Sequence, residues 1–362
     1  MERRDLLKAG LYGFSGLSLG DLLRQRAFAI DHAAKPGDAI RYSKNRLGES
    51  TAIIMVWLRG GCSHLDTWDP KPDAPSEFRG PFNPINTNVP GIVLTELLPK
   101  LSKCADKYTL LRSVAHTGGG HPAGSLQVLA GDPAAADKTL PEMPDWMSIA
   151  NYLRYSQKRE IPNYITVNPV DRYDAFTIAG ATYLGPSYQP FRVTGDPSKP
   201  DFHVPNIGLH DPKLAERFKK RIELKRRIDR LQAEIDQSGL MEAVDDFDRQ
   251  ALSLLTSKKA KDAFDLTQED QKTRERYGMN QWGQQCLMAR RLVEAGVEIV
   301  TTEFDGPLCG RVANWDDHAV NHHVFEAISY RAPFFDQAIS ALIEDVYARG
   351  LNKRVLVVVT GE

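Results

Sequence analysis

Ala52-Ile53-Ile54-Met55-Val56-Trp57-Leu58 is followed at once by Arg59-Gly60-Gly61-Cys62-Ser63-His64-Leu65-Asp66-Thr67-Trp68-Asp69. Seven apolar residues without polar alternation read as a strand buried on both faces, the habit of a parallel sheet covered by helices. Further runs of strand length occur at Tyr108–Leu111, Tyr164–Val167, Val297–Thr302 and Val355–Val359. Helical patterns separate the later ones. Gln281–Glu294 places Cys286, Leu287, Ala289, Leu292 and Val293 on one stripe and is stopped by Gly296; a second helix runs from about Phe325 to Arg349 and stops at Gly350. Strand, helix, strand is the parallel crossover unit, so the fold class is α/β, a mostly parallel sheet flanked by helices.

Outward from this frame the chain changes character. Leu214, Phe218, Ile222, Ile228, Leu231 and Ile235 recur at helical spacing in a dense background of Lys, Arg, Glu and Asp. Residues 205–280 therefore read as a helical insertion beside the sheet, with 211–255 a face on which a protein partner could dock. At the N-terminus, Arg3-Arg4 precedes a Gly-broken apolar stretch, Ala9–Leu23, which ends near Ala27-Phe28-Ala29. This is a twin-arginine signal peptide over residues 1–29 with a small-x-small cleavage site. It predicts export to the periplasm or medium and a mature domain over 30–362. No other segment is apolar enough to span a membrane, so no transmembrane anchor is expected after the signal is removed. Strand residues run almost to Glu362, which predicts a covering element beyond it.

Charge excludes some partners. Lys plus Arg number 46 against 47 for Asp plus Glu, so no global basic field argues for nucleic acid. Cys62, Cys104, Cys286 and Cys309 form no C-x-x-C pair, which argues against a zinc ribbon or a thioredoxin-type centre; Cys286 reads as a small buried apolar residue.

Function has to come from polar clusters that follow strand ends: Arg59–Asp69, then His116-Thr117-Gly118-Gly119-Gly120-His121, then Asp305 and Asn314-Trp315-Asp316-Asp317-His318 with His322 and His323, and finally Gly361-Glu362. In an open parallel sheet such loops share the carboxyl edge, where ligands bind. Carboxylates and imidazoles without a cysteine cluster suit one or two divalent ions, Zn or Mn ahead of Mg. The candidate ligands are Asp66, Asp69, Asp316, His318 and Glu362, with His121 and His116 as catalytic candidates. Gly60-Gly61 and Gly118-Gly119-Gly120 could offer backbone N–H groups to an anion. Simpler roles stand beside these. Asp66 and Asp69 could be turn or cap residues, His64 a hydrogen-bonded loop residue, and Asp316 or Asp317 a helix cap.

Gly60–Lys71, His121–Gly131, Leu184-Gly185-Pro186, Trp315-Asp316-x-His318 and Thr360-Gly361-Glu362, together with the leader, resemble the domain-of-unknown-function 1501 proteins, a group placed in the alkaline phosphatase and sulfatase superfamily. The resemblance implies an alkaline-phosphatase-like fold with metal ligands on loops at the carboxyl edge and a nucleophile after an early strand. It puts His121 at the position of the sulfatase nucleophile, as ligand, phosphohistidine-type nucleophile or a sign of lost activity. Arg59-Gly60 stands where the superfamily has its first-strand acid, which Asp66 or Asp69 would replace. The reading that results is an exported metal-dependent hydrolase of small anionic phosphate or sulfate esters, with His116 as a general acid/base or supporting group. The alternative is a non-catalytic exported binding or assembly protein on the same fold; a carbohydrate-active hydrolase would need a positioned carboxylate pair that the sequence does not identify.

Overall fold

β1, Ala52–Leu58, forms with the predicted boundaries and lies inside a wholly parallel sheet. The computed structural model describes residues 51–155, 161–204, 217, 220, 254, 257–308, 311–312, 314–316 and 323–362. With β4 (Tyr164–Val167), β7 (Phe191–Val193), β8 (Ile299–Glu303) and β11 (Val355–Gly361), β1 builds a five-stranded sheet in the order β11-β1-β8-β4-β7. Ladders pair Leu58 with Gly361 and Trp57 with both Thr360 and Glu303, so the ends of β11, β1 and β8 lie side by side. Small two-stranded ribbons, β2–β3 (Pro84–Asn86, Val93–Thr95), β5–β6 (Arg172–Tyr173, Phe176–Thr177) and β9–β10 (Pro307–Leu308, Arg311–Val312), decorate this frame.

Alternation along β1 sorts its side chains onto two buried faces. Ile54, Val56 and Leu58 join a large core with Leu287 and Met288 of α5 (Gln281–Glu294) and Phe335, Ile339 and Leu342 of α6 (Val324–Ala348). Met55 and Trp57 face the other way, into a smaller core with Leu129 of α1 (His121–Ala130) and Met147 of α2 (Trp146–Arg154). The sheet is thus covered by helices on both sides, which explains the unbroken apolar run. α5 occupies its expected span because the Asn280 side chain accepts from Gly283 N–H and the chain leaves through Gly296 at φ +97°. A Cβ at Gly283 would lie 2.3 Å from the carbonyl oxygen of Tyr277, so the helix start tolerates no side chain there.

Two expectations shift. Val297 belongs to the turn that closes α5, its N–H bonded to the Leu292 carbonyl, and the strand begins at Ile299. Tyr108–Leu111 is not a strand: Tyr108 donates its hydroxyl to the Leu101 carbonyl at 3.1 Å, Leu110 packs on the large core, and Leu111 is 76% exposed. The run is apolar because individual side chains dock, not because its backbone enters the ladder. Of the expected insertion 205–280, the described end folds as α3 (Lys258–Phe264) and α4 (Gln271–Tyr277), which place Ala260, Phe264 and Tyr277 in the core beside α5. The expected signal peptide, 1–29, and almost all of the segment 211–255 expected to dock a partner lie outside the described residues. Among the described residues no helix is long and apolar enough to cross a membrane.

Buried charge locks the helical layer. Arg290 of α5, fully buried, is ion-paired with Glu269, Glu294 and Asp345 of α6, and Tyr277 donates to Asp345 at 2.9 Å. Asp336 of α6 accepts from the N–H groups of Lys100 and Leu101, both at 2.8 Å, pinning the 3-10 segment Leu101–Lys107. The centre of this layer is aromatic. Phe335 meets Trp68, Phe304 and Trp315 edge-on at 5.3–6.1 Å. Phe335→Ala is expected to cost about 3–5 kcal/mol in urea unfolding, because it opens a cavity among rings that have nowhere to collapse.

Candidate functional site

Beyond Leu58 the chain carries two glycines at positive φ, Gly60 at +95° and Gly61 at +73°. Added Cβ atoms there would stand 2.3 Å from the Asp316 nitrogen and 2.4 Å from the Glu362 carbonyl oxygen, so two other chain segments press directly onto this bare backbone. Hydrogen bonds fix the contact. Gly60 N–H donates to Glu362 Oε1 at 2.7 Å, and Trp315 N–H donates to the Arg59 carbonyl at 2.7 Å. The N–H groups of Gly61, Gly118 and Gly119 are engaged by Leu58 O, His116 Nδ1 and Ala135 O. These glycines therefore supply close approach of backbones, and their N–H groups are used within the fold instead of being offered to an anion.

α1 delivers a histidine to the same place. Gly120 is the N-cap and His121 the first helical residue; the Ala123 N–H at this helix start is taken by Asp137 Oδ1 at 2.9 Å. His121 lies between two carboxylates, with Nδ1 3.1 Å from Glu362 Oε1 and Nε2 3.2 Å from Asp316 Oδ1. Both contacts are satisfied together only by the imidazolium, which donates from each nitrogen. The hydrogen bond to Glu362, helped by the charges of Asp316 and Glu362, accordingly raises the His121 pKa above its ordinary value against the opposing effect of partial burial.

A supporting shell holds this group. Tyr173, carried by the β5–β6 hairpin, stacks on the His121 ring at 4.6 Å and 11° and donates its hydroxyl to Asp316 Oδ2 at 3.0 Å. The Arg59 guanidinium lies over the Tyr173 ring, 4.6 Å from its centroid, and pairs with Asp305 at 2.7 Å and Asp174 at 2.8 Å. Glu303 ends β8 and is only 5% exposed; burial first, then the negative charge of Asp305, pushes its carboxyl well above the usual range.

Of the residues singled out from sequence, His121, Asp316 and Glu362 meet. His116 is exposed but near. Its Nδ1 accepts from Gly118 N–H, and its ring abuts the Gly124 position that also faces Glu362 Cβ. Asp66 accepts from Ser63 Oγ at 2.6 Å and lines, with Gly60, Gly61, Cys62, Trp315 and Glu362, a cavity of about 270 Å³ that opens beside the cluster. Asp69 stands apart, ion-paired to Lys71 and to Arg112. His318 and His322 lie outside the described residues. Cys104 and Cys286 are free thiols, Cys286 fully buried as expected. Arg59 stands out in the sequence only as the first residue of a polar cluster, and Tyr173 and Glu303 do not stand out as site residues. A glutamate closing the apolar strand Ile299–Glu303 was a legible signal; nothing in the sequence around Tyr173 marks it.

The donor set is of the right kind for a divalent ion: one imidazole, two carboxylates, and a Glu362 Oε2 that is buried without a hydrogen-bond partner. In the described arrangement, however, His121 occupies the space between the carboxylates, and no group of three or more His, Cys, Asp and Glu among the described residues is placed to hold a metal. A protonated His121 and a bound ion are thus alternatives at this centre.

Because the His121 pKa is higher in the folded than in the unfolded protein, its contribution to stability is fully present below the unfolded value near ~6.5 and is lost as pH rises through the raised folded value. In metal-free buffer the melting-temperature advantage of the wild type over His121→Gln is expected to be largest at mildly acid pH and to shrink above neutrality. A pH-independent difference would contradict the ion-paired imidazolium.

No significant match is found among curated proteins or among solved structures. Residues 50–362 match the family model described as a protein of unknown function, DUF1501, and on that match, which spans most of its length, the chain belongs to this family.

Proposed function

We propose that this protein is an exported metal-dependent hydrolase of phosphate or sulfate esters. The observation that carries the reading is the meeting of His121, Asp316 and Glu362, far apart in sequence, on one glycine-lined seat at the carboxyl edge of a parallel sheet. Such an edge is where open α/β sheets bind ligands. Export is supported by Arg3-Arg4 and by Ala27-Phe28-Ala29.

Asp316, Glu362 and, once deprotonated, His121 would hold the ion, with His318 a further donor by its place two residues after Asp316. A divalent ion supplies Lewis-acid stabilisation of charge on the transferred group. The chain's own residues do the positioning. Tyr173 fixes the plane of His121 by stacking and one oxygen of Asp316 by its hydroxyl, and Gly60 N–H fixes Glu362 Oε1. Because both His121 nitrogens face carboxylates, a ligand role accords better with the geometry than a nucleophile role, which would need one nitrogen free. His116 is exposed at the rim with Nδ1 accepting a backbone proton, which leaves Nε2 to carry a proton to or from a substrate. The cavity beside Glu362, walled by Trp315, Val324 and Ile328, is suited to the alcohol portion of a small ester.

The test is elemental analysis of the purified protein together with a screen of phosphate mono- and diesters and sulfate esters. About one or two equivalents of Zn or Mn are expected, lost in Asp316→Asn, with affinity falling as pH drops and protons compete for His121. His116→Gln is expected to lower kcat by about 10²–10⁴-fold with metal content unchanged. A folded protein that takes up no metal and cleaves no ester would instead favour a binding or assembly role.

A further inference from the structure

We infer that the cavity beside Glu362 is a subsite for a small alcohol that carries a primary ammonium group, with Asp66 as its counter-charge; the substrates are then amino-alcohol esters of phosphate or sulfate. The inference rests on the hydrolase reading above and adds to it the class of alcohol, which the His121 cluster does not specify.

The lining of the cavity decides the sign of the ligand. Two carboxylates, Asp66 and Glu362, line it together with Ser63, and its described lining contains no Lys, Arg or His. Each acid keeps one oxygen unspent. Glu362 uses Oε1 for Gly60 and His121 and holds Oε2 buried without a hydrogen-bond partner, on a side chain only 3% exposed. Asp66 takes the Ser63 hydroxyl on Oδ2 and likewise holds Oδ1 buried and unpartnered. Gly80 leaves that oxygen its room, since a Cβ there would lie 2.2 Å from it. The contrast is Asp69 in the same loop, whose charge is answered by Lys71 and Arg112. Buried carboxylate oxygens without a partner call for a donor, and the cavity is where one can arrive.

Size and walls narrow the ligand further. A volume of about 270 Å³ lies just below the roughly 300–1,000 Å³ of most small-molecule pockets, so the cavity admits a short chain and not a nucleoside. Trp315, Val324 and Ile328 give it an apolar side for methylene groups. The Trp315 ring is already stacked with Trp282 at 5.8 Å and carries the Arg331 guanidinium at 5.4 Å, so it serves as a wall and not as an aromatic cage for a quaternary ammonium. Charge is then read by carboxylate oxygens, which require N–H donors. Glu362 is shared with the ion in the reading above, and Asp66 is not. Held through its side chain by Ser63 and through its carbonyl by Thr95 Oγ1 at 2.8 Å, Asp66 is the acid that binds the ammonium. A second phosphate, sulfate or carboxylate on the alcohol would be repelled by the same two acids.

The experiment is calorimetric titration of the purified protein with ethanolamine, with ethylene glycol as its neutral counterpart and choline as its quaternary one, in the wild type and Asp66→Asn. Metal content is measured on the same samples, and cleavage of the 2-aminoethyl and 2-hydroxyethyl esters of phosphate and sulfate is compared. Ethanolamine is expected to bind at least about tenfold more tightly than ethylene glycol or choline, and the aminoethyl esters to show a similar advantage in kcat/KM, both advantages being lost in Asp66→Asn with metal content unchanged. Equal binding of ethanolamine and ethylene glycol by the wild type would overturn the inference, and that comparison needs no variant to fold; cleavage of both kinds of ester without preference would leave the hydrolase reading standing. Loss of metal in Asp66→Asn would also overturn it, by making Asp66 a ligand of the ion. Selective, Asp66-dependent binding of ethanolamine by a protein that cleaves no ester would keep the subsite and overturn the hydrolase reading instead.

Discussion

Two residues without side chains lie just beyond the first strand, and the remaining architecture of the site is arranged around that bareness. Gly60 and Gly61 allow the segment at Asp316 and the end of β11 at Glu362 to approach to distances no other residue would permit, and the Gly60 N–H then takes a Glu362 oxygen. From this seat Glu362 is held facing α1, and the first residue of α1 is His121. Any side chain at Gly60 would both require a strained backbone and displace Asp316. The restriction is steric first and electrostatic second: backbones must meet before carboxylates and imidazole can.

Rigidity behind the seat comes from a different source. The large core sets Trp282, Phe304, Trp315 and Phe335 against one another, so the residue immediately before Asp316 is anchored in aromatic packing, and its N–H is tied to Arg59. On the opposite face the smaller core carries α1 and the Tyr173 hairpin. A site assembled from both cores at their shared edge responds to either. It gathers more acid than base, since Glu303, Asp305, Asp316 and Glu362 outnumber Arg59 and His121, and Arg59 is already committed to Asp305 and Asp174. An excess of buried negative charge is a reason for this edge to take up protons or cations.

Much of the frame is legible in the sequence because local physics dictates it. Ala52–Leu58 and Tyr164–Val167 are strands with the boundaries their apolar runs predict, and Gln281–Glu294 is a helix closed by the Asn and Gly that its ends require. Tyr108–Leu111 fails for the same reason that the others succeed: apolarity reports burial, and only neighbouring strands decide whether a buried backbone joins a ladder. Asp316 and Glu362 were legible as chemistry-bearing residues that follow strand ends, and sheet topology made their meeting foreseeable; His121 was expected after Tyr108–Leu111, which is no strand, and reaches the site instead as the first residue of α1.

What the sequence by itself determined, then, is the parallel α/β frame and the set of polar residues at its carboxyl edge, since both follow from short-range pattern. Tertiary structure alone decided which of those residues touch. It put Asp69 into ion pairs with Lys71 and Arg112, turned the glycine N–H groups inward, and brought Tyr173 from a short hairpin to stack on His121. It also buried Glu303 with an oxygen unmatched. The contact that seats the site joins the two most distant of these segments, Gly60 N and Glu362 Oε1 at 2.7 Å across 302 residues of chain. No local propensity encodes such contacts; the packing of the two cores does.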